Sequence, residues 1–351
     1  MRQETKVVVA KYAKLVADSN GVADPTEKFN VNPSAAQRLI AQIRESNWFL
    51  GKINIIQVQN QKGEAIGLNA NGMIAGRSNT SAGNKRKTKP VYSMTPMPYM
   101  CEQTNFDHHI RYSQLDAFAH LKNFNKIITK LTREQIDANK VTIGFYGESV
   151  AADTNAAIHP NGEDVNKGWL QALREHKSAA MLTQGEVANK IRIGHADGDF
   201  INLDLAVLNV KSLLGEAASK ASDLIAIIGS DLLAYEKAKF YETHGNTPSE
   251  KSRVEEKQVI GTYGGLPAAT VPGFPPTGIF VTSYSNLSMY IQEGSVRRTA
   301  AKKNDELDQL ESFESMNMAY VIEDLDKASA LEFNNVELWI NNAWVNLTAA
   351  E

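Results

Sequence analysis

Apolar side chains recur every three or four residues at Phe118, Leu121, Phe124, Ile128 and Leu131, and neither Pro nor Gly interrupts residues 113–143. That period predicts one helix of about 30 residues, roughly 45 Å long, with a single buried stripe. Ser113-Gln114-Leu115-Asp116 has capping-box spacing, with Asp in place of the usual Glu, and Gly144 and Gly147 mark the stop. A helix of that length is unusual for a globular enzyme. A shorter helical period covers residues 4–19, with Val8, Tyr12, Leu15, Val16 and Ser19 on one face and Asn20-Gly21 as its end. A polar linker spans 20–33. Asn32 then caps, and Pro33 opens, a helix running to Ser46 that buries Ala36, Leu39, Ile40 and Ile43. The helix over 4–19 is marginal alone and must bury its stripe on something. It is either an arm packed on its own domain or a piece with a separate task.

The period changes to β elsewhere. Residues 53–68 and 91–111 read as strands flanking a long polar loop, with Lys62-Gly63 as a turn. Residues 150–285 read as mixed α/β. Gly168–His176 and Leu203–Leu214 are short helices, the second capped by Asn202 with Leu205, Leu208 and Leu213 toward a core. Leu224–Ile228 is a buried strand that runs through Gly229 into a helix from Ser230 toward Phe240, and Ile279–Thr282 is another strand. Residues 261–278 are too rich in Gly and Pro for regular structure throughout. Strands at 287–291 and 296–301 flank a Glu293-Gly294 turn. Ser312–Glu323 is a longer strand and Ala330–Phe333 a final one, all expected in the sheet that packs against the long helix.

Composition narrows the classes. A chain of 351 residues with 42% hydrophobic and 22% charged residues has the make-up of an ordinary globular protein of two or three compact units. The net charge of −3 argues against electrostatic nucleic-acid binding by the molecule as a whole. A single cysteine, Cys101, permits no intrachain disulfide and no cysteine metal cluster. Val7–Ala10 lies among Lys6, Lys11 and Lys14, unlike the apolar core of a signal peptide, and no stretch is long enough to span a membrane. The expectation is a protein made in the cytosol.

Catalytic patterns are missing. No nucleophile elbow, phosphate loop or dinucleotide fingerprint occurs. Gly261-Thr262-Tyr263-Gly264-Gly265 lacks the strand–turn–helix setting and reads as a turn. His195, Asp197 and Asp199 match neither a calcium loop nor a zinc motif. His108 and His109 sit on a strand and face opposite ways, as do Glu311 and Glu314. Nothing near Cys101 would lower its thiol pKa. Between Ala65 and Cys101 lie Arg77, Lys85, Arg86, Lys87 and Lys89 and no acidic residue, but no aromatic stands between Gly72 and Pro90 to stack bases.

The run Glu311-Ser-Phe-Glu-Ser-Met-Asn-Met-Ala-Tyr-Val-Ile-Glu-Asp324 resembles the C-terminal signature of major capsid precursors of temperate contractile-tailed bacteriophages, the peduovirus type. Met1–Thr5, Asn105-Phe106-Asp107 with Ile110-Arg111-Tyr112 and Leu115-Asp116, and Gly168–Gln171 resemble that family too. So do Leu266-Pro267-Ala268 with Val271-Pro272 and Phe274-Pro275, and Asn286-Leu287-Ser288 with Tyr290. These runs follow the family's order over nearly the whole chain.

The resemblance implies an α+β tailed-phage major capsid fold. Residues 1–31 would be a scaffolding-like segment removed in maturation and 32–52 an N-arm. Residues 53–111 would hold an extended β-hairpin loop with its flanking strands. Residues 112–150 with 286–351 would form a peripheral domain of spine helix and sheet, and 151–285 an α/β axial domain. It implies a shell precursor rather than an enzyme, with no cofactor or metal. Its partners would be further copies in hexamers and pentamers, a scaffolding or maturation protease, a portal protein and double-stranded DNA held nonspecifically, with no membrane. Assembly would occur in the bacterial cytoplasm and the product would be the virion. Processing would fall in an exposed tether at Phe29, Asn30, Val31, Asn32, Pro33 or Ser34. Arg77, Lys85, Arg86, Lys87 and Lys89 on the hairpin would meet acidic groups of a neighbour, with Asp305, Glu306 and Asp308 as the candidates. Two other readings stand beside it: a cytosolic α/β enzyme with a site in 224–265, near Gly229-Ser230 or Thr262–Gly265, and a nucleic-acid binder using Arg77–Lys89.

Overall fold

In the computed structural model, which describes residues 1–31, 33–70, 75, 85, 88, 92–118, 124–244 and 261–348, the long apolar period folds as α3 (Tyr112–Phe118) and α4 (Phe124–Tyr146). Residues 119–123, between them, lie outside the described residues. Before them come α1 (Gln3–Asn20), β1 (Phe29–Asn30), α2 (Pro33–Ser46), β2 (Asn54–Val58), β3 (Lys62–Ala70), β4 (Tyr92–Met100), β5 (Glu102–Asn105) and β6 (His108–Arg111). After them come α5 (Trp169–His176), β7 (Met181–Leu182), β8 (Ile191–Ile193), α6 (Leu203–Ser212), β9 (Ile225–Ile228), α7 (Ser230–His244), β10 (Thr262–Tyr263), β11 (Leu266–Ala269) and β12 (Ile279–Thr282). The chain closes with β13 (Leu287–Gln292), β14 (Arg297–Asn304), β15 (Gln309–Ile322), β16 (Ser329–Leu331), β17 (Val336–Ile340) and β18 (Ala343–Val345).

Among the described residues the strands form four sheets. The largest runs β1-β14-β15-β13-β2, with β5 and β6 also paired to the long β15. A second runs β10-β11-β9-β12-β16-β7, a third is β18-β17-β8, and β3 and β4 make a separate two-stranded ribbon. Strand β16 therefore does not join the sheet beside the long helix, as the sequence had led us to expect. It pairs with β12 and β7 instead. Lys62-Gly63 is likewise not a turn but the start of β3, opposite Met100 and Tyr99.

Strands β9 and β12 are buried at every position, which explains their unbroken apolar sequences. Ile225 and Ile227 of β9, with Phe280 of β12, face the main core, which also holds α2, α4, α5 and the large sheet. Ala226 and Ile228, with Ile279 and Val281, face a second core under α6. Helix α6 is capped by Asn202, whose side chain accepts from Leu205 N–H at 2.9 Å, as its sequence indicated. Its inward face was misassigned, however. Leu203, Ala206, Val207 and Val210 are buried, whereas Leu205 and Leu208 are 44% and 51% exposed. The buried stripe is Leu203, Ala206, Val207 and Val210, at helical spacing.

The main core is knit by aromatics. Trp169 lies edge-on to Phe145 and Tyr320, each at 5.0 Å between ring centres, and its indole N–H donates to Ser288 O at 3.1 Å. Tyr320 O–H donates to Lys140 O at 2.7 Å, which ties β15 to α4. Helix α4 passes through Gly144, expected to end it, and stops at Tyr146. A Cβ at Gly144 would lie 2.4 Å from the Trp169 ring, so glycine is required there for close approach and not as a helix stop.

Candidate functional site

Nothing among the described residues converges as a reaction centre would. No group of three His, Cys, Asp or Glu among them is placed to hold a metal. His195 stacks on Trp339 at 4.4 Å, while Asp199 accepts from the Glu186 and Arg192 N–H groups and so staples its own loop. Gly264 and Gly265 have φ of 58° and 73° and make the turn between β10 and β11. Gly229 abuts the Pro276 carbonyl, where a Cβ would clash. Cys101 is fully buried, and burial pushes its thiol up to about 11, the reverse of an activated nucleophile. The region 224–265 is thus explained by packing and turn geometry within its described part.

The built features lie instead around the N-terminal segment. Helix α1 ends at Gly21, with φ of 67°, and buries Thr5, Val9, Val16, Ala17 and Asn20. Leu15 and Ser19, expected inside, face out. The face turned in by Val9, Val8, Tyr12 and Ala13 closes a small core with Tyr112, Leu115, Ala301 and Leu310. At the start of α1, Arg2 N–H and Thr5 O–H donate to the Asp116 carboxylate. These two bonds hold that carboxyl below its usual range.

Tyr12 also lies over a buried charge cluster. Glu314 on β15 is 3% exposed. Its carboxylate is 2.9 Å from Arg298 Nε of β14 and 3.6 Å from Arg133 Nη1 of α4. Burial pushes the Glu314 carboxyl up, but Arg298, Arg133 and Lys140 together outweigh it and the net shift is downward. Lys140 is fully buried, 3.0 Å from Asp137. Burial pulls its ammonium below the ordinary value against the attraction of Asp137 and Glu314. Asp137 also accepts from Ser46 O–H at the end of α2. The strand reading that separates Glu311 from Glu314 holds: Glu311 bonds outward to Asn304 and Gln309, and Glu314 points in. The sequence did not join Glu314 to Arg298 or Arg133. The available signal was parity, because Glu314 shares its side of β15 with Leu310, Met316 and Met318.

The linker is not the exposed tether expected. Ala300 N–H donates to Pro25 O at 2.8 Å, Phe29 and Asn30 pair with Arg298 and Arg297, and Val31 N–H donates to Val296 O at 3.0 Å. A linker that carries apolar Phe29 and Val31 can dock them, and both meet the main core. Asn32 lies outside the described residues, and Pro33 and Ser34 begin α2.

Of the hairpin cations, Arg77, Arg86, Lys87 and Lys89 lie outside the described residues, and Lys85 is exposed. The ribbon that carries them pairs in register from Lys62↔Met100 to Ala70↔Tyr92. Asp305, Glu306 and Asp308 fall together on the exposed turn between β14 and β15, beside Leu307 at 62% exposure. Asp305 accepts from Tyr112 O–H at 3.0 Å, and Asp308 O accepts from Tyr112 N–H at 2.8 Å. Burial, then Asp305, pushes the Tyr112 phenol up to about 12. The turn is therefore anchored at its base, and Glu306 at its tip is free to face another molecule.

Comparison with known proteins places this architecture. Residues 8–333 match the family described as phage major capsid protein, P2 family. The chain is 34% identical over 336 residues to a protein of Escherichia phage P2 described as "Capsid proteins", covering 92% of each. It is 31% identical over 342 residues to the major capsid protein of Serratia phage KSP20, covering 95% of this chain and 97% of that one. Among solved structures, a chain of the satellite phage P4 procapsid, which includes the size determination protein Sid, superposes with a TM-score of 0.76 at 30% identity. That match covers 98% of this chain and all of the other.

Proposed function

Because the chain belongs to the P2 family of phage major capsid proteins, we propose that it is the precursor of an icosahedral head and is trimmed at its N-terminus as the head matures. Its role as a shell-forming capsid protein, a virion component rather than an enzyme, follows from the family and from the procapsid fold it shares. The finer reading is ours. Copies meet as hexamers and pentamers through an axial unit over 151–285, joined by the strands β16–β18. The peripheral unit, expected over 112–150 and 286–351, carries the spine helix and the large sheet; we shorten its second part to 286–328 because β16 and β17 pair with β12, β7 and β8. The β3–β4 ribbon reaches over a neighbour, where Arg77, Lys85, Arg86, Lys87 and Lys89 meet the turn at Asp305, Glu306 and Asp308. Residues 1–31 act inside the early shell and leave by cleavage within Phe29–Ser34, by a head protease. A portal protein completes the shell, which forms in the bacterial cytoplasm and holds double-stranded DNA nonspecifically; a net charge of −3 suits a lining that must not grip it.

The observation that carries the assembly reading is the match along the full chain to a procapsid subunit. The processing reading is supported by the make-up of the first 31 residues, a helix on a small core of its own and a linker that joins the large sheet at its edge strand β1. Electron microscopy of the expressed protein should show closed shells; a stable monomer or dimer under assembly conditions would overturn the assembly reading. The mass of the protein from mature particles should lack the first 29 to 34 residues. A full-length mass would remove the processing reading and leave the shell intact.

A further inference from the structure

The linker between α1 and α2 is held by β14 over Phe29–Val31, the first half of the segment we assign to processing. Strand β1 ends the order of the large sheet, and among the described residues only β14 lies beside it. Val31 is 7% exposed, and its N–H is given to Val296 O. A protease reads its substrate as an extended strand and takes that strand's backbone hydrogen bonds for itself. The same N–H and C=O groups cannot serve β14 and an enzyme at once.

We infer that β1 is a latch: Phe29–Val31 is closed to proteolysis while it is paired with β14, and becomes a substrate only when that strand lifts away. The inference rests on the processing reading above. The position of β1 makes the latch workable. Its two-residue ladder is short enough to open locally. Because it is the outermost strand, its release leaves β14 paired to β15 from Arg297 to Asn304. The edge of β14 is also irregular where the linker arrives. Its register with β15 shifts between Thr299 and Lys302, Ala301 has φ of 59°, and Ala300 turns its N–H to Pro25.

A reversible bolt tests this. Val31 and Val296 share a ladder hydrogen bond, so Asn30 and Arg297, one step along, form the close non-bonded pair, and both are exposed. That geometry suits a disulfide in an N30C/R297C variant, and buried Cys101 does not compete. Purified precursor, oxidised or reduced, would be treated with thermolysin, and cuts between residues 25 and 34 timed by mass spectrometry. Oxidation should slow those cuts about tenfold or more, and either single-cysteine variant should be indifferent to it. Equal rates in the two states overturn the latch. In the unaltered chain, the Val31 and Ala300 amides should exchange with solvent more slowly than those of Glu27 and Lys28; equal exchange also overturns it. A trimmed mass from mature particles together with equal thermolysin rates would sink the latch alone. An untrimmed mass would sink the processing reading instead.

Discussion

Arg298 and Glu314 are direct cross-strand partners in the antiparallel β14–β15 pair, and their charged groups meet at 2.9 Å inside the protein. With Arg133 arriving from α4 on the other side, one carboxylate holds the large sheet to the long helix. Removing it leaves two guanidinium groups facing each other with little water. We expect Glu314→Ala to destabilise the folded subunit by about 3 kcal/mol, because an uncompensated buried charge costs more than the pair contributes. Denaturant unfolding of the unassembled chain measures it. A loss within the ordinary range of a surface substitution, about 0.5 kcal/mol, would show that water reaches the cluster.

The same carboxyl sets an acid response. Burial pushes it up, but Arg298, Arg133 and Lys140 hold it below the ordinary glutamate value of 4.5. A depressed folded value contributes stability that is present above the unfolded value and lost as pH falls through the folded one. The melting temperature of the unaltered chain should therefore fall as pH drops below 4.5. Glu314→Gln, which has no charge to lose, should fall less steeply over that window. Parallel curves would assign the acid sensitivity to other carboxylates.

Gly144→Ala pits helix propensity against packing. Alanine in a helix interior gains about 1 kcal/mol over glycine. Its Cβ would lie 2.4 Å from the Trp169 ring, where Phe145 and Tyr320 also pack. Overpacking of that kind costs about 1–3 kcal/mol, and the ring has little room to retreat, so the net effect should be a lower melting temperature. A rise would mean that α5 can slide away from α4.

Charge at the hairpin should control association rather than folding. Reversing Lys85, Arg86 and Lys87 to Glu should leave the unfolding midpoint of the subunit unchanged and raise the concentration at which shells form. A single exposed ion pair is worth about 0.2–1 kcal/mol, but every subunit repeats it around a closed lattice. Adding Glu306→Lys should restore part of the loss, as read by light scattering. Unaltered assembly in the triple variant would remove the hairpin from the contact we assign it.

Local chemistry was the legible part of this fold. Asn202 at the start of α6, Gly21 at the end of α1 and the unbroken apolar run of β9 all act as their sequences imply. What stayed hidden depends on residues far along the chain. Which side of α6 faces inward is a matter of the sheet it packs on, and Ala206 and Val207 are buried there while Leu205 and Leu208 face out. β16 pairs with β12 and β7, whose sequences carry no mark of that choice. Glu314 reads as a surface acid until Arg133 and Arg298 are brought to it. Among the candidate contacts, the acidic turn at 305–308 could be located in the fold, but what it meets is a property of two molecules and not of one.

The strands β9 and β12 press one side chain in two against each of two cores. A bend between the large sheet and the second sheet would have to tear the main core that joins them, and a bend within the second sheet would have to tear the other. The body of the subunit should therefore behave as a stiff tile. When a head changes size, such tiles would tip and slide whole, and the give would be confined to the strips sewn onto their margins.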